Sequence, residues 1–172
     1  MHSITHLEIV SPQSLPRFQQ LNVAASMQLL WAGKDPATTT LLEGKVPTPL
    51  LQHLYPAGSL YRHHALIAGA SDWSVSSPNP LLAIYTAVTR IGEEGELPPE
   101  SEKISRAAML QAYTLNAAKV IGRDKETGSI SVGKSADLVA FDRNLEKVSI
   151  EELKDATVLW TMFAGKKVYS GH

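Results

Sequence analysis

The chain has 172 residues, 44% of them hydrophobic and 19% charged, with 16 basic and 17 acidic side chains and a net charge of −1. That composition is globular and long enough for a buried core, and it excludes a disordered chain. It offers no overall field for nucleic acid or an anionic membrane, no apolar run that spans a bilayer, and no cysteine for disulfides, thiolate metal sites or a cysteine nucleophile.

Ile4 to Val10 reads as a short buried strand. Ser11 then caps and Pro12 opens a helix, with Leu15, Phe18 and Leu21 on one face and Asn22 as its stop. Val23 to Gln28 is a second strand, so 4–28 forms a strand–helix–strand unit of the kind that builds parallel sheets. Residues 29–58 carry four prolines and little periodicity, and predict a long irregular loop. Ala65 to Ser71 is apolar throughout and ends at Asp72, as a third parallel strand buried on both faces would. Pro80 opens a helix to Arg90, with Leu81, Ile84, Tyr85 and Val88 at helical spacing.

Residues 92–102 hold glycine, two prolines and five glutamates, and read as a solvated loop. An alanine-rich helix follows from Ser105 and stops at Gly122. Beyond it the period changes. Gly128–Lys134 and Ala136–Asp142 read as strands around a turn, Ser149 caps a short helix over 150–154, and Val158–Phe163 with Lys167–Tyr169 forms a hairpin. The natural division is therefore residues 1–122 and 123–172. Charge divides the chain too: residues 1–90 carry five basic and four acidic side chains, residues 91–172 eleven and thirteen. A half so poor in charge either packs against something on several sides or was shaped inside a larger protein.

Two residues stand out chemically. His6 lies on the first strand, where a histidine is ordinarily a satisfied structural residue. Asp72 ends an apolar strand, where an unpaired buried charge would cost several kcal/mol, so it is capped, paired or metal-bound. Functional groups of parallel α/β proteins collect at the carboxyl ends of strands. A histidine and a carboxylate there can converge on a divalent ion that activates water. His63 and His64 read as a solvent-side pair, His2, His53 and His172 offer nothing specific, and Trp31 and Trp73 read as pocket walls or core. No glycine loop of the phosphate-binding kind is present.

Several segments, in order, resemble one family. Ala70-Ser71-Asp72-Trp73-Ser74-Val75, followed by Pro80-Leu81, resembles the "GSDWPV…PL" segment of the amidohydrolase superfamily in its N-substituted formamide deformylase-like branch. Ile4-Thr5-His6-Leu7 resembles that branch's "IEH" strand, and Val23 to Gln28 its "ASMQP" strand. Tyr113 to Ala118 resembles "YTxNAA", and Gly128 to Val139 resembles "GSLxxGKxADLV". The resemblance implies an α/β fold: the C-terminal part of a (β/α)8 TIM barrel, about strands six to eight, plus part of a small β-sandwich composite domain. It implies that His6 is a metal-binding or substrate-facing histidine, and that Asp72 is a metal ligand and the catalytic acid and base. It also implies a divalent metal, zinc by expectation, and a small-molecule substrate with an amide- or formamide-type C–N bond.

The chain departs from the pattern at Thr5, Ser74, Leu29 and Trp31, and the family's H-x-H, bridging lysine or acid and strand-five histidine have no counterpart in it. Two ligands fall short of the three a catalytic zinc uses. The expectation is a cytoplasmic C-terminal fragment, inactive alone, that needs a missing N-terminal barrel half or self-associates. The alternative is a truncated, non-catalytic relative acting as an interaction or assembly partner.

Overall fold

The computed structural model describes residues 1–42 and 44–171. Strand β1 (His2–Thr5) is shorter than the pattern predicts and lies exposed along its length. It stops because His6 and Leu7 take φ of 70° and 61°. That left-handed region turns a non-glycine chain out of a strand at some cost. A 3-10 turn at Pro12–Ser14 leads into α1 (Leu15–Gln20), which buries Leu15 and Phe18. Leu21, expected on the same face, is 61% exposed because the helix has already ended.

β2 (Val23–Met27) is the central strand, with Ala24, Ala25 and Met27 fully buried. The expected loop over 29–58 holds a 3-10 turn (Leu29–Trp31) and three short helices: α2 (Pro36–Thr39), α3 (Thr48–Leu51) and α4 (Ala57–Arg62), the last running past it. β3 (Ile67–Gly69) completes a parallel sheet of order β1-β2-β3, with Ile4 beside Ala25 and Ala25 beside Ile67. α5 (Pro80–Thr89) starts where predicted, with the Asn79 side chain accepting from the Leu81 N–H at 3.0 Å.

The glutamate-rich segment is only partly the expected solvated loop: Glu93, Glu94, Glu96 and Glu100 are exposed, but it also holds paired strands and buried residues. β4 (Ile91–Gly92) and β5 (Gly95–Glu96) form a small hairpin, after which Leu97, Glu102 and Ile104 are buried. Glu102 accepts from the Ser59 N–H at 2.7 Å and its hydroxyl at 2.6 Å, with Arg62 at 3.6 Å. Arg90, also buried, donates to the carbonyls of Leu97 (2.8 Å), Tyr55 (3.2 Å) and Leu54 (2.7 Å). Burial lowers its pKa to about 10, which leaves it charged at neutral pH. This side chain fastens the end of α4's approach loop to the segment after the hairpin.

α6 (Arg106–Gln111), a π-helical turn (Ala112–Asn116) and α7 (Ala117–Val120) form one nearly continuous helix. The strand expected at 128–134 is absent: the segment pairs with no strand among the described residues, and Ile130 is 90% exposed. It is shaped instead by the Lys134 ammonium, which donates to the Thr127 carbonyl, the Ser129 hydroxyl and the Asp124 carbonyl. β6 (Leu138–Phe141), β7 (Val158–Phe163) and β8 (Lys166–Ser170) form an antiparallel sheet in that order. Between β6 and β7, α8 (Ile150–Lys154) opens with a full Ser149–Glu152 capping box. α8 packs on α5 and adds Leu153 to the same apolar cluster as Leu15, Met27 and Ile84. Among the described residues no helix is long and apolar enough to cross a membrane.

Candidate functional site

Because β1, β2 and β3 run in one direction, their carboxyl ends open on a single edge of the sheet. Three segments emerge there: His6 after β1, Gln28 after β2, and Ala70 to Asp72 after β3. Strand spacing sets β1 and β3 about 10 Å apart, on either side of β2.

His6 is held from two sides. Its backbone N–H lies 3.1 Å from both the Ser26 carbonyl and the Gln28 Oε1. Gln28 is itself buried, so the turn at His6 is fixed to the central strand. The imidazole stacks on Trp31, with centroids 5.6 Å apart and planes 11° from parallel. Its Nδ1 is the one buried side-chain polar atom without a hydrogen-bond partner among the described residues. Such an atom loses solvation without replacement unless something binds it. Trp31 also lines a cleft of about 710 Å3 with Leu82, Tyr85, Ile91 and Lys154, whose ammonium sits 4.8 Å from the Tyr85 ring centroid. It serves as a pocket wall, as the sequence suggested.

Asp72 is exposed, in a left-handed turn with φ of 55°. The desolvation argument from sequence therefore does not hold: the carboxylate escapes burial because the strand has ended at Gly69. The turn is closed by the Val75 N–H donating to the Asp72 carbonyl at 2.8 Å, and the Trp73 N–H to Ser71 Oγ at 3.2 Å. The Ser76 hydroxyl donates to the Ser71 carbonyl.

The sheet thus brings His6 and Asp72 to one edge. Among the described residues no group of three or more histidine, aspartate or glutamate side chains stands close enough to hold a metal. His63, His64 and His53 are exposed, His2 lies on β1, and His172 falls outside the described residues. The sequence reading missed Gln28 and the residues behind β3. There the Asn116 amide donates to the Ile67 carbonyl at 2.9 Å and the Tyr113 hydroxyl to the Ala70 carbonyl at 3.3 Å. The Tyr113-Thr114-Leu115-Asn116 motif was the available signal: its two polar side chains sit at the i, i+3 spacing that shares a helix face.

Residues 1–169 match the amidohydrolase family. The chain is 35% identical over 169 residues to Protein LONG AFTER FAR-RED 3 of Arabidopsis thaliana, covering 96% of this chain and 28% of that protein. It is 32% identical over 112 residues to an N-substituted formamide deformylase of Arthrobacter pascens, covering 65% of this chain and 21% of the relative. The fold matches an adenosine deaminase from Xanthomonas campestris with bound zinc, with a TM-score of 0.70 and 22% identity, over 96% of this chain and 36% of that one. The chain therefore spans about a third or less of the length of these relatives.

Proposed function

This chain belongs to the amidohydrolase family, and from that premise we propose that it supplies the His6 and Asp72 side of a metal-dependent hydrolase site acting on an amide- or formamide-type C–N bond. The observation that carries the reading is the buried, partnerless Nδ1 of His6 at the carboxyl edge of the parallel sheet. An imidazole nitrogen fixed by stacking and by a backbone clamp suits a divalent ion such as zinc. The zinc in the Xanthomonas neighbour supports that choice of metal. The formamide-type substrate rests on the Asp72 segment and the Arthrobacter relative.

When bound, such a metal supplies a Lewis acid that lowers the pKa of water. The chain's own residues do the rest. His6 offers one nitrogen donor. Asp72, exposed at the mouth, carries an oxygen that accepts the proton of the attacking water and returns it to the leaving nitrogen. Trp31 holds the imidazole plane.

Two donors fall short of the usual three, so the reading requires the others from outside the described residues. We place the chain as strands six to eight of a (β/α)8 barrel, residues 1–122, followed by a β-sandwich segment, residues 123–172. The share of the relatives' length that it spans supports a part rather than a whole barrel; the choice of strands six to eight rests on the order of the motifs. The covering element is an N-terminal barrel half or, failing that, a second copy. The lack of a three-ligand group also favours a second reading, a non-catalytic assembly partner of a full-length relative.

Co-expression with a separately encoded N-terminal barrel half, followed by a zinc-dependent formamide hydrolysis assay, separates the two. The hydrolase reading expects activity that Asp72→Asn abolishes. Tight association without hydrolysis would establish the assembly reading instead.

A further inference from the structure

β3 carries Asp72, yet what fixes β3 lies far away in the chain. Gly69 is its last residue, and a Cβ there would stand 2.6 Å from ring carbons of Tyr113. The ring therefore rests against bare backbone, and only glycine admits it. From that seat the Tyr113 hydroxyl reaches the Ala70 carbonyl at 3.3 Å, two residues before Asp72. One helical turn on, the Asn116 amide holds the Ile67 carbonyl at 2.9 Å. The Leu66 carbonyl faces β2, where it accepts from the Ala25 N–H at 2.8 Å, so the Ile67 carbonyl points to the opposite side of the strand.

Both side chains belong to the π-helical turn Ala112–Asn116. A single π turn inside an α-helix shifts the faces that follow it, and such turns concentrate at functional sites. Burial raises the Tyr113 phenol to about 12, which keeps it a donor across the working range.

We infer that Tyr113 and Asn116 are positioning residues for Asp72: the π turn grips β3 at both ends and so sets where the Asp72 turn begins. The inference rests on the reading of Asp72 as the acid of the site. It places no substrate contact on Tyr113.

The test is amide hydrogen exchange and chemical shift by NMR on the full chain. Tyr113→Phe keeps the ring on Gly69 and removes only the hydroxyl. The Trp73 and Val75 amides are expected to exchange about fivefold faster, the equivalent of one hydrogen bond. The Asp72 amide and carboxyl carbon resonances are expected to move, while the Ala25 and Met27 amides hold. Asn116→Ala is expected to give the same pattern, which guards against an idiosyncratic effect of one variant. Unchanged Trp73 and Val75 amides, or a uniform acceleration across all strands, would overturn the inference, since the second outcome reports stability alone. Failure of the hydrolysis assay would count against the catalytic reading of Asp72 and leave this exchange pattern standing, so the two can fail separately.

Discussion

The two outer strands of the parallel sheet are finished in opposite ways. β1 is exposed from His2 to Thr5, Ile4 stands 50% exposed, and no described strand pairs with its outer side. β3 buries Ile67 and Ala68, its outward carbonyl is taken by Asn116, and Tyr113 covers Gly69. The Asp72 side is thus partly covered by the chain's own helix, whereas the His6 side presents an exposed strand and an apolar side chain to water. An edge of the second kind is a template for another strand. Both are edge strands among the described residues; they differ in that the outward Ile67 carbonyl of β3 already has a partner. A covering barrel half would have to pair with both outer strands, and β1 is the more exposed of the two.

Substitutions on the two sides should differ in kind. The largest effect is expected away from both edges, at Arg90, whose bonds run to Leu54, Tyr55 and Leu97. Arg90→Met leaves the carbonyls of Leu54, Tyr55 and Leu97 without their buried donor, and should lower unfolding stability by about 3 kcal/mol in urea melts. A loss under about 1 kcal/mol would show that the guanidinium is dispensable. Gly69→Ala comes next, at about 1–3 kcal/mol, because the Tyr113 ring must move. At the β1 edge, Ile4→Lys should change stability by about 0.5 kcal/mol or less, yet abolish self-association in sedimentation velocity. A wild-type chain that stays monomeric at micromolar concentration would break the contrast between the edges.

The smallest expected effect lies in the antiparallel sheet and serves as a control. The Arg143 side chain and the Thr157 N–H hold the Asp142 carboxyl down to about 2. The Ala164 N–H and the Ser135 hydroxyl depress Asp137. A carboxylate lowered on folding stabilises fully above its unfolded pKa, near 4, and that contribution fades as pH falls through its folded value. The Thr157 and Ala164 amides should therefore lose exchange protection between about pH 4 and 2, before Ala25 in the parallel sheet does. The reverse order would contradict the assignment.

Much of this was legible locally. β2, α5 with its Asn79 cap, α8 with its capping box and the β7–β8 hairpin follow from residues within a few positions of each other. The misreadings come from partners distant in sequence or from backbone angles that no residue type announces. Nothing in Ile4 to Val10 signals that His6 and Leu7 turn left-handed. Within the glutamate-rich segment only the burial of Glu102 is hidden from the sequence, because its partner Ser59 lies 43 residues earlier. Ile130 and Val132 alternate as in a strand, but a strand needs a neighbour, and the described residues provide none. Asp72, expected to end a buried strand, lies three residues past β3 and is exposed, because nothing in Ala65 to Ser71 signals that the strand stops at Gly69. Tyr113 and Asn116 were seen only as a family mark, because a side chain that bonds backbone across the fold leaves no periodicity.

The central claim is that this chain holds part of a metal site and not the whole. It is tested most directly by zinc content, measured by elemental analysis after dialysis of the purified chain. A site with His6 and Asp72 alone should retain far less than one zinc per chain, and Asp72→Asn should change that value little. Stoichiometric zinc on the chain by itself, lost on replacement of His6, would show a complete site and contradict the claim.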